Sequence, residues 1–301
     1  MFTRPQPERP HPLPASRCIL SSRSNPTVKR IRTLRERKAR ERTGLAFVEG
    51  IRIVTEALDL GASVEALVVA PDLLSSEHAW RLLDSQRCRD LPLIELSPDA
   101  FCSVATRQHP EGLGALVRPR WTPLGALAPS TGIGAAGASS PAAADRRRAA
   151  GAHLSGGRQG TLGFVALHEV QYAGNLGTII RTADAFGAAV ALSPGCADPT
   201  SPKALRASTG SIWRVPVRPF EASDTRLRGT RVALTSHGGT PLGDVDLTGD
   251  VVFLLGAERE GLPDEVERDE DAWIPIAGAE SLNVAAAGAI ALYEWRRQNR
   301  D

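Results

Sequence analysis

Short apolar runs that alternate with helical stretches constrain this chain more than any other feature. In the C-terminal half, LGFVALHEV (162–170), AAVALS (188–193), RVALTS (231–236) and VVFLLG (251–256) read as strands, with a shorter one near AWIPI (272–276). Between and after them, NLGTIIRTADAFG (175–187), PKALRAST (202–209) and SLNVAAAGAIALYEWRRQ (281–298) read as helices. Short strands separated by helices predict an α/β fold: a mostly parallel sheet with helices on both faces. In such sheets ligands bind at the carboxyl ends of the strands. The residues that follow each strand are therefore the first candidates for a site.

The N-terminal half carries a second α/β pattern. Ile51, Val54 and Leu58 recur at helical spacing within IRIVTEALDLG (51–61), and Gly61 can end that helix. VEALVVA (64–70) reads as a buried strand, Ala79–Leu83 as helical, and LPLIELS (91–97) and GALVRP (114–119) as short strands. Between the two patterns, residues 122–160 are rich in Gly, Ala, Ser and Pro and read as a flexible linker. The expected organisation is a disordered tail over 1–22, a domain over 23–121, the linker over 122–160 and a second domain over 161–301. A length of 301 residues suits two domains.

Charge is distributed unevenly. The net charge is only +2, yet residues 23 to 42 hold nine basic residues against Glu36 and Glu41. Lys29, Arg30, Arg35, Arg37 and Lys38 belong to this run. Such a cluster can neutralise phosphates, and it can equally be a solvated helix face. Cys18, Cys88, Cys102 and Cys196 are scattered without a CxxC pair, and the six histidines form no ligand-spaced cluster with them. That argues against structural zinc or a disulfide framework, predicts no metal, and fits a reducing compartment. The proline- and arginine-rich N-terminus has no signal-peptide core, and no apolar run reaches membrane-spanning length. A soluble cytoplasmic protein with no membrane partner is expected.

Three segments place polar or glycine residues where a strand ends. In VQYAGNLGTIIRTAD (170–184), Gly174 and Gly177 loosen a turn, Asn175 offers an amide, and Arg181 follows. In LLGAEREGLPDE (254–265), Gly256 and Gly261 bracket Glu258, and glycines there let backbone approach a ligand. In IPIAGAESLNVAAAGAIALYE (274–294), Pro275 breaks the strand, Gly278 permits a tight loop, and Ser281 suits an N-cap. Asn283 then falls in the first helical turn, where it is a poor helix former able to donate and accept hydrogen bonds. Taken singly, each segment also reads as a cap or turn with surface side chains.

Taken in order, the three segments closely resemble the signature motifs of the SpoU (TrmH-type) RNA ribose 2′-O-methyltransferases of the SPOUT superfamily. The resemblance runs from about 162 to 298 and includes PKALRASTGSIWRVPV (202–217). SNPTVKRIRTLRERKARERTGLAFVEG (24–50) and HPEGLGALV (109–117) are similar to that family's substrate-binding domain, a small α/β module like an RNA-binding ribosomal protein. The resemblance implies a C-terminal α/β trefoil-knot domain, a homodimer with its site at the interface, and S-adenosylmethionine as methyl donor. By position it implies that Thr235, Gly256, Ile274, Ile276 and Leu282 hold the donor. It assigns Arg181, Asn175, Glu258, Ser281 and Asn283 to the active site, and the basic run with Arg206 to RNA.

The chemistry implied is alignment of an electrophilic methyl group with a ribose 2′-oxygen that loses a proton. A guanidinium is protonated at working pH, so Arg181 is either an unusual base or a stabiliser of the developing alkoxide or adjacent phosphate. Glu258 would orient a cationic or amide partner. Two positions depart from the family pattern. Tyr172-Ala173 stands where Asp-Pro is common, and Arg259 where a glycine often follows the glutamate. Large-subunit (23S) ribosomal RNA is the expected substrate; transfer RNA and a non-catalytic RNA-binding role are the rival readings. No dinucleotide-binding glycine pattern opens a helix here.

Overall fold

The computed structural model describes residues 19–87, 91–119, 161–220 and 229–300. Most of the expected tail and all of the 122–160 linker lie outside the described residues. The chain divides near residue 120 into two compact units, with Thr200–Pro202 grouped with the first.

In the first unit the basic run forms two helices, α1 (Pro26–Thr33) and α2 (Arg37–Thr43). Asn25 caps α1 by accepting from the Thr27 amide, with Pro26 in the first turn where its missing N–H costs nothing. Next come β1 (Ala46–Glu49), α3 (Ile51–Asp59), β2 (Ser63–Val69), α4 (Glu77–Arg87), β3 (Leu93–Glu95), α5 (Pro98–Val104) and β4 (Leu113–Arg118). The sheet order is β1-β4-β2-β3; β4 runs antiparallel to β1 and β2, while β2 and β3 are parallel. Ordered structure begins earlier than the tail boundary at residue 22: the Leu20 amide donates to Glu95 O, and the Ser97 amide to Leu20 O. The apolar residues of α1 and α5 bury Val28, Ile31, Phe101 and Val104 against Phe47, Val68 and Leu116 of the sheet.

The second unit comprises β5 (Gly163–Leu167), α6 (Ala173–Phe186), β6 (Ala189–Leu192), α7 (Pro202–Ser208), β7 (Val217–Pro219), β8 (Thr230–Thr235), β9 (Thr240–Pro241), β10 (Val251–Leu255), β11 (Glu270–Trp273) and α8 (Val284–Gln298). Its seven strands run in the order β7-β6-β5-β10-β8-β11-β9, and every pairing is parallel. Strands that are apolar at every position are buried on both faces. Val165, Leu167, Val251, Phe253 and Leu255 point to one cluster, shared with Leu176, Ile180, Leu292 and Trp295 of α6 and α8. Phe164, Ala166, Val252 and Leu254 point to the other, whose described members off the sheet include Phe220, Val266, Leu162 and Leu262 from loops.

The order of the strands positions the site. From β5 the chain moves outward through β6 and β7, returns on the far side as β8, and fills the gap with β10. The Leu255–Leu167 pairing sets the carboxyl ends of β10 and β5 side by side. This is the point at which the order of the strands reverses, where open parallel sheets leave a crevice. No described helix is long and apolar enough to cross a membrane.

Candidate active site

At the carboxyl edge of β5, β10, β8 and β11 lies a cavity of about 760 Å³. Glu258, in the loop after β10, reaches across to the N-terminus of α6. Its carboxylate accepts from the Gln171 and Tyr172 amides, both at 3.2 Å, and from Asn175 Nδ2 at 2.9 Å. These two amides lie just ahead of the first helical residue, Ala173, and this end of a helix favours a negative charge, so a carboxylate supplied by another loop ties down the entry to α6. Asn175 Oδ1 in turn accepts from Asn283 Nδ2 at 3.0 Å. Asn283 Oδ1 accepts from the Ala285 and Ala286 amides at 2.9 and 3.3 Å and caps α8. The hydrogen-bond requirements settle the orientation of both amide groups, because a carboxylate can only accept and a backbone N–H can only donate. One chain of hydrogen bonds thus joins two helix N-termini through three sequence segments.

Two local readings from sequence change here. Asn283, not Ser281, is the N-cap, and α8 starts at Val284; the Asn side chain reaches two amides from this position. Gly174 and Gly177 do not loosen a turn but lie inside α6. A Cβ on Gly177 would come within 2.5 Å of Ala204 O and 2.6 Å of Ala207 Cβ, so glycine lets α7 approach α6. Behind the site, Asp184 of α6 holds the Arg214 guanidinium at 2.6–3.1 Å.

Thr235, Gly256, Ile274, Ile276 and Leu282 all line the cavity, together with Leu234, Leu255, Ser281 and Asn283. The single hydroxyl proton of Thr235 is shared between Gly238 O at 3.1 Å and Ala272 O at 3.2 Å. Gly256 is a position where backbone passes backbone: a Cβ there would lie 2.0 Å from the Gly261 carbonyl carbon. Apolar side chains, bare loop backbone and a few fixed polar groups are the lining of a small-molecule site. Elsewhere in the same unit, burial raises the Cys196 thiol above its usual range, which disfavours the thiolate.

Comparison with known proteins identifies the family. Residues 163–293 match the SpoU rRNA Methylase family, and residues 25–115 match the MRM3-like substrate binding domain. An AdoMet-bound rRNA methyltransferase from Sinorhizobium meliloti superposes with a TM-score of 0.76 at 31% identity, over 94% of this chain and 99% of that one. The chain belongs to the SpoU family. The Bacillus subtilis 23S rRNA (guanosine(2553)-2′-O)-methyltransferase RlmP is 28% identical over 92% of this chain and 98% of its own. A 23S rRNA (uridine(2479)-2′-O)-methyltransferase from Streptomyces viridochromogenes is 39% identical over 42% of this chain and 49% of its own.

Not every candidate of this SpoU protein meets at the cavity. Arg181 is exposed on α6, does not line the cavity, and has no hydrogen-bond or ion-pair partner among the described residues. Six residues beyond Asn175, it lies about 120° around the helix. Lys203 of α7, which sequence reading passed over within PKALRAST, does line the cavity. Its only signal was a cation at the start of a short helix. In the first unit the basic residues divide into two groups. Arg40 is buried and donates to Leu34 O and Arg35 O. Arg35 donates to Ser103 O and Ala105 O, Arg30 pairs with Glu65 at 2.9 Å, and Arg37 with Glu41 at 2.8 Å. Lys29 and Lys38 are exposed without a described partner. Arg206 is exposed on α7.

Proposed function

We propose that this chain is an S-adenosylmethionine-dependent RNA methyltransferase that acts on a ribose 2′-hydroxyl, with large-subunit ribosomal RNA as its substrate. The observation that carries the reading is the Glu258–Asn175–Asn283 chain at the rim of a cavity that can accept the donor. Thr235, Gly256, Ile274, Ile276 and Leu282 would hold S-adenosylmethionine, which supplies an electrophilic methyl group when bound. Glu258 orients rather than abstracts, since its two oxygens already accept from three donors. Asn175 and Asn283 keep a fixed polar edge at the cavity, with Ser281 beside them, against which a ribose can be aligned. Arg181 serves as a cation for the developing alkoxide or the neighbouring phosphate, the role a protonated guanidinium can fill.

A homodimer completes the site in this reading. Arg181 has no hydrogen-bond or ion-pair partner among the described residues, and Ile290 and Tyr293 on α8 are 39% and 49% exposed. Tyr293 meets Phe186 of α6 edge-on at 6.5 Å, so the apolar patch extends onto the helix that carries Arg181. A second copy would cover this patch and bring the arginine to a cavity. The knot belongs to the same proposal. It is supported by the seam between the end of α8 and the segment before β10, where Gln298 and Asn299 bond Val245, Leu247 and Gly249. The first unit would bind the RNA backbone through Lys29 and Lys38, and a cytoplasmic location follows from such a substrate.

The test is transfer of labelled methyl from S-adenosylmethionine to unmodified total RNA, fractionated by size and mapped for ribose methylation. Label at one large-subunit position is expected. Label in transfer RNA would keep the chemistry and overturn the substrate. No label, with donor binding verified, would favour a non-catalytic RNA-binding role.

A further inference from the structure

A second cavity, of about 370 Å³, adjoins the first and is lined by Gln171, Tyr172, Ala257, Glu258, Arg259 and Glu260. Apart from Gln171, these residues also line the larger cavity, so Tyr172 and the 257–260 segment are common to both. Tyr172 is 54% exposed, and its backbone amide is tied to Glu258 at 3.2 Å. The ring therefore stands on a fixed stem with its apolar surface open to the cavity mouth. Arg259 is exposed and has no described hydrogen-bond or ion-pair partner. Its neighbour Glu258 forms no described ion pair with it, and that carboxylate faces the α6 N-terminus and Asn175. Lys203, on the wall of the larger cavity, is likewise exposed without a described partner.

An open aromatic ring with cations beside it in a concave surface is the composition that single-stranded nucleic acid selects. Bases stack on the ring, and phosphates meet the cations. We infer that the smaller cavity is a subsite for an unpaired nucleotide flanking the one whose ribose is methylated. Its base stacks on Tyr172, its phosphate meets Arg259, and Lys203 meets the phosphate on the side of the larger cavity. The inference rests on the reading of RNA as substrate. Stacking accepts any base, so the subsite holds the strand in place without selecting a sequence. Glu260 is the one acidic side chain of the lining with no described partner, and it opposes a phosphate there.

The test uses the full chain and a short fluorescein-labelled oligouridylate, with affinity read by anisotropy and S-adenosylmethionine binding by calorimetry. Tyr172→Ala is expected to weaken oligouridylate binding by roughly 5- to 150-fold, the range for loss of one base–aromatic stack. Tyr172→Phe should retain the affinity, which a role for the hydroxyl would not explain. Arg259→Gln should lower the slope of log affinity against log salt by about 0.7, the value for one phosphate of a single strand. Glu260→Gln should tighten binding, and donor affinity should hold throughout. Unchanged oligouridylate affinity in Tyr172→Ala, with donor binding intact, overturns the subsite and leaves the proposed function standing. A wild-type chain that binds the donor but no RNA overturns the RNA reading and the subsite together.

Discussion

The Asn283 side chain gives its oxygen to the amides of Ala285 and Ala286 and its nitrogen to Asn175, so one residue serves both helix stability and the site. The two roles can be separated. Asn283→Asp keeps an oxygen for the cap but brings a second acceptor against Asn175 Oδ1, and Asn175 cannot turn without facing its oxygen to Glu258. The melting temperature should change little, while methyl transfer falls roughly tenfold, the upper end for one lost hydrogen bond between neutral groups. Asn283→Ala should lose about 1 kcal/mol of stability as well, the usual value of an N-cap. Equal activity in Asn283→Asp and wild type would reduce Asn283 to a cap. At Arg181, exposed and outside the cavity, Arg181→Ala should abolish transfer and leave donor binding nearly intact, measured by calorimetry beside the transfer assay. Unchanged turnover would remove Arg181 from the mechanism.

Among the elements, the α6–α7 contact decides where Lys203 stands. Gly177 is a point of close approach, and a methyl group there would meet both the backbone and a side chain of α7. Overpacking at such a contact costs about 1–3 kcal/mol. Gly177→Ala is therefore expected to lower the melting temperature by several degrees, at roughly 2–4 °C per kcal/mol for a domain of this size. It should also weaken RNA binding by displacing Lys203. An unchanged melting curve would show that α7 moves aside freely. The end of α8 is held differently. Trp295 is fully buried under β5, its indole N–H donates to Gly249 O, and a Cβ on Gly163 would strike its ring at 2.9 Å. A strand position without a side chain thus receives the largest side chain of the C-terminal helix.

For the molecule as a whole, the prediction concerns assembly. Ile290 and Tyr293 present an exposed apolar patch beside the helix that carries Arg181. Ile290→Asp combined with Tyr293→Asp should convert the proposed dimer to a monomer in sedimentation analysis and abolish methyl transfer. A double variant that remains dimeric would place the interface elsewhere.

Sequence by itself determined a good deal. Period and composition were sufficient for two α/β units and the parallel C-terminal strands, because a strand apolar at every position has to be buried on both faces. The three polar segments were legible because Asn, Glu and Ser are costly beside such strands unless something uses them. Their resemblance to SpoU motifs then assigned the chemistry. Tertiary structure alone decided which of these groups meet. Glu258 and Asn175 are 83 positions apart and Asn175 and Asn283 are 108 apart, and they touch because β10 inserts beside β5 and aligns the loops that follow. It also decided that much of the basic run braces its own domain, and that Tyr172 and Arg259, mere departures from a pattern in sequence, share one cavity wall. Pairing across a sheet depends on strand order, and strand order is a property of the whole chain that no local stretch of residues contains.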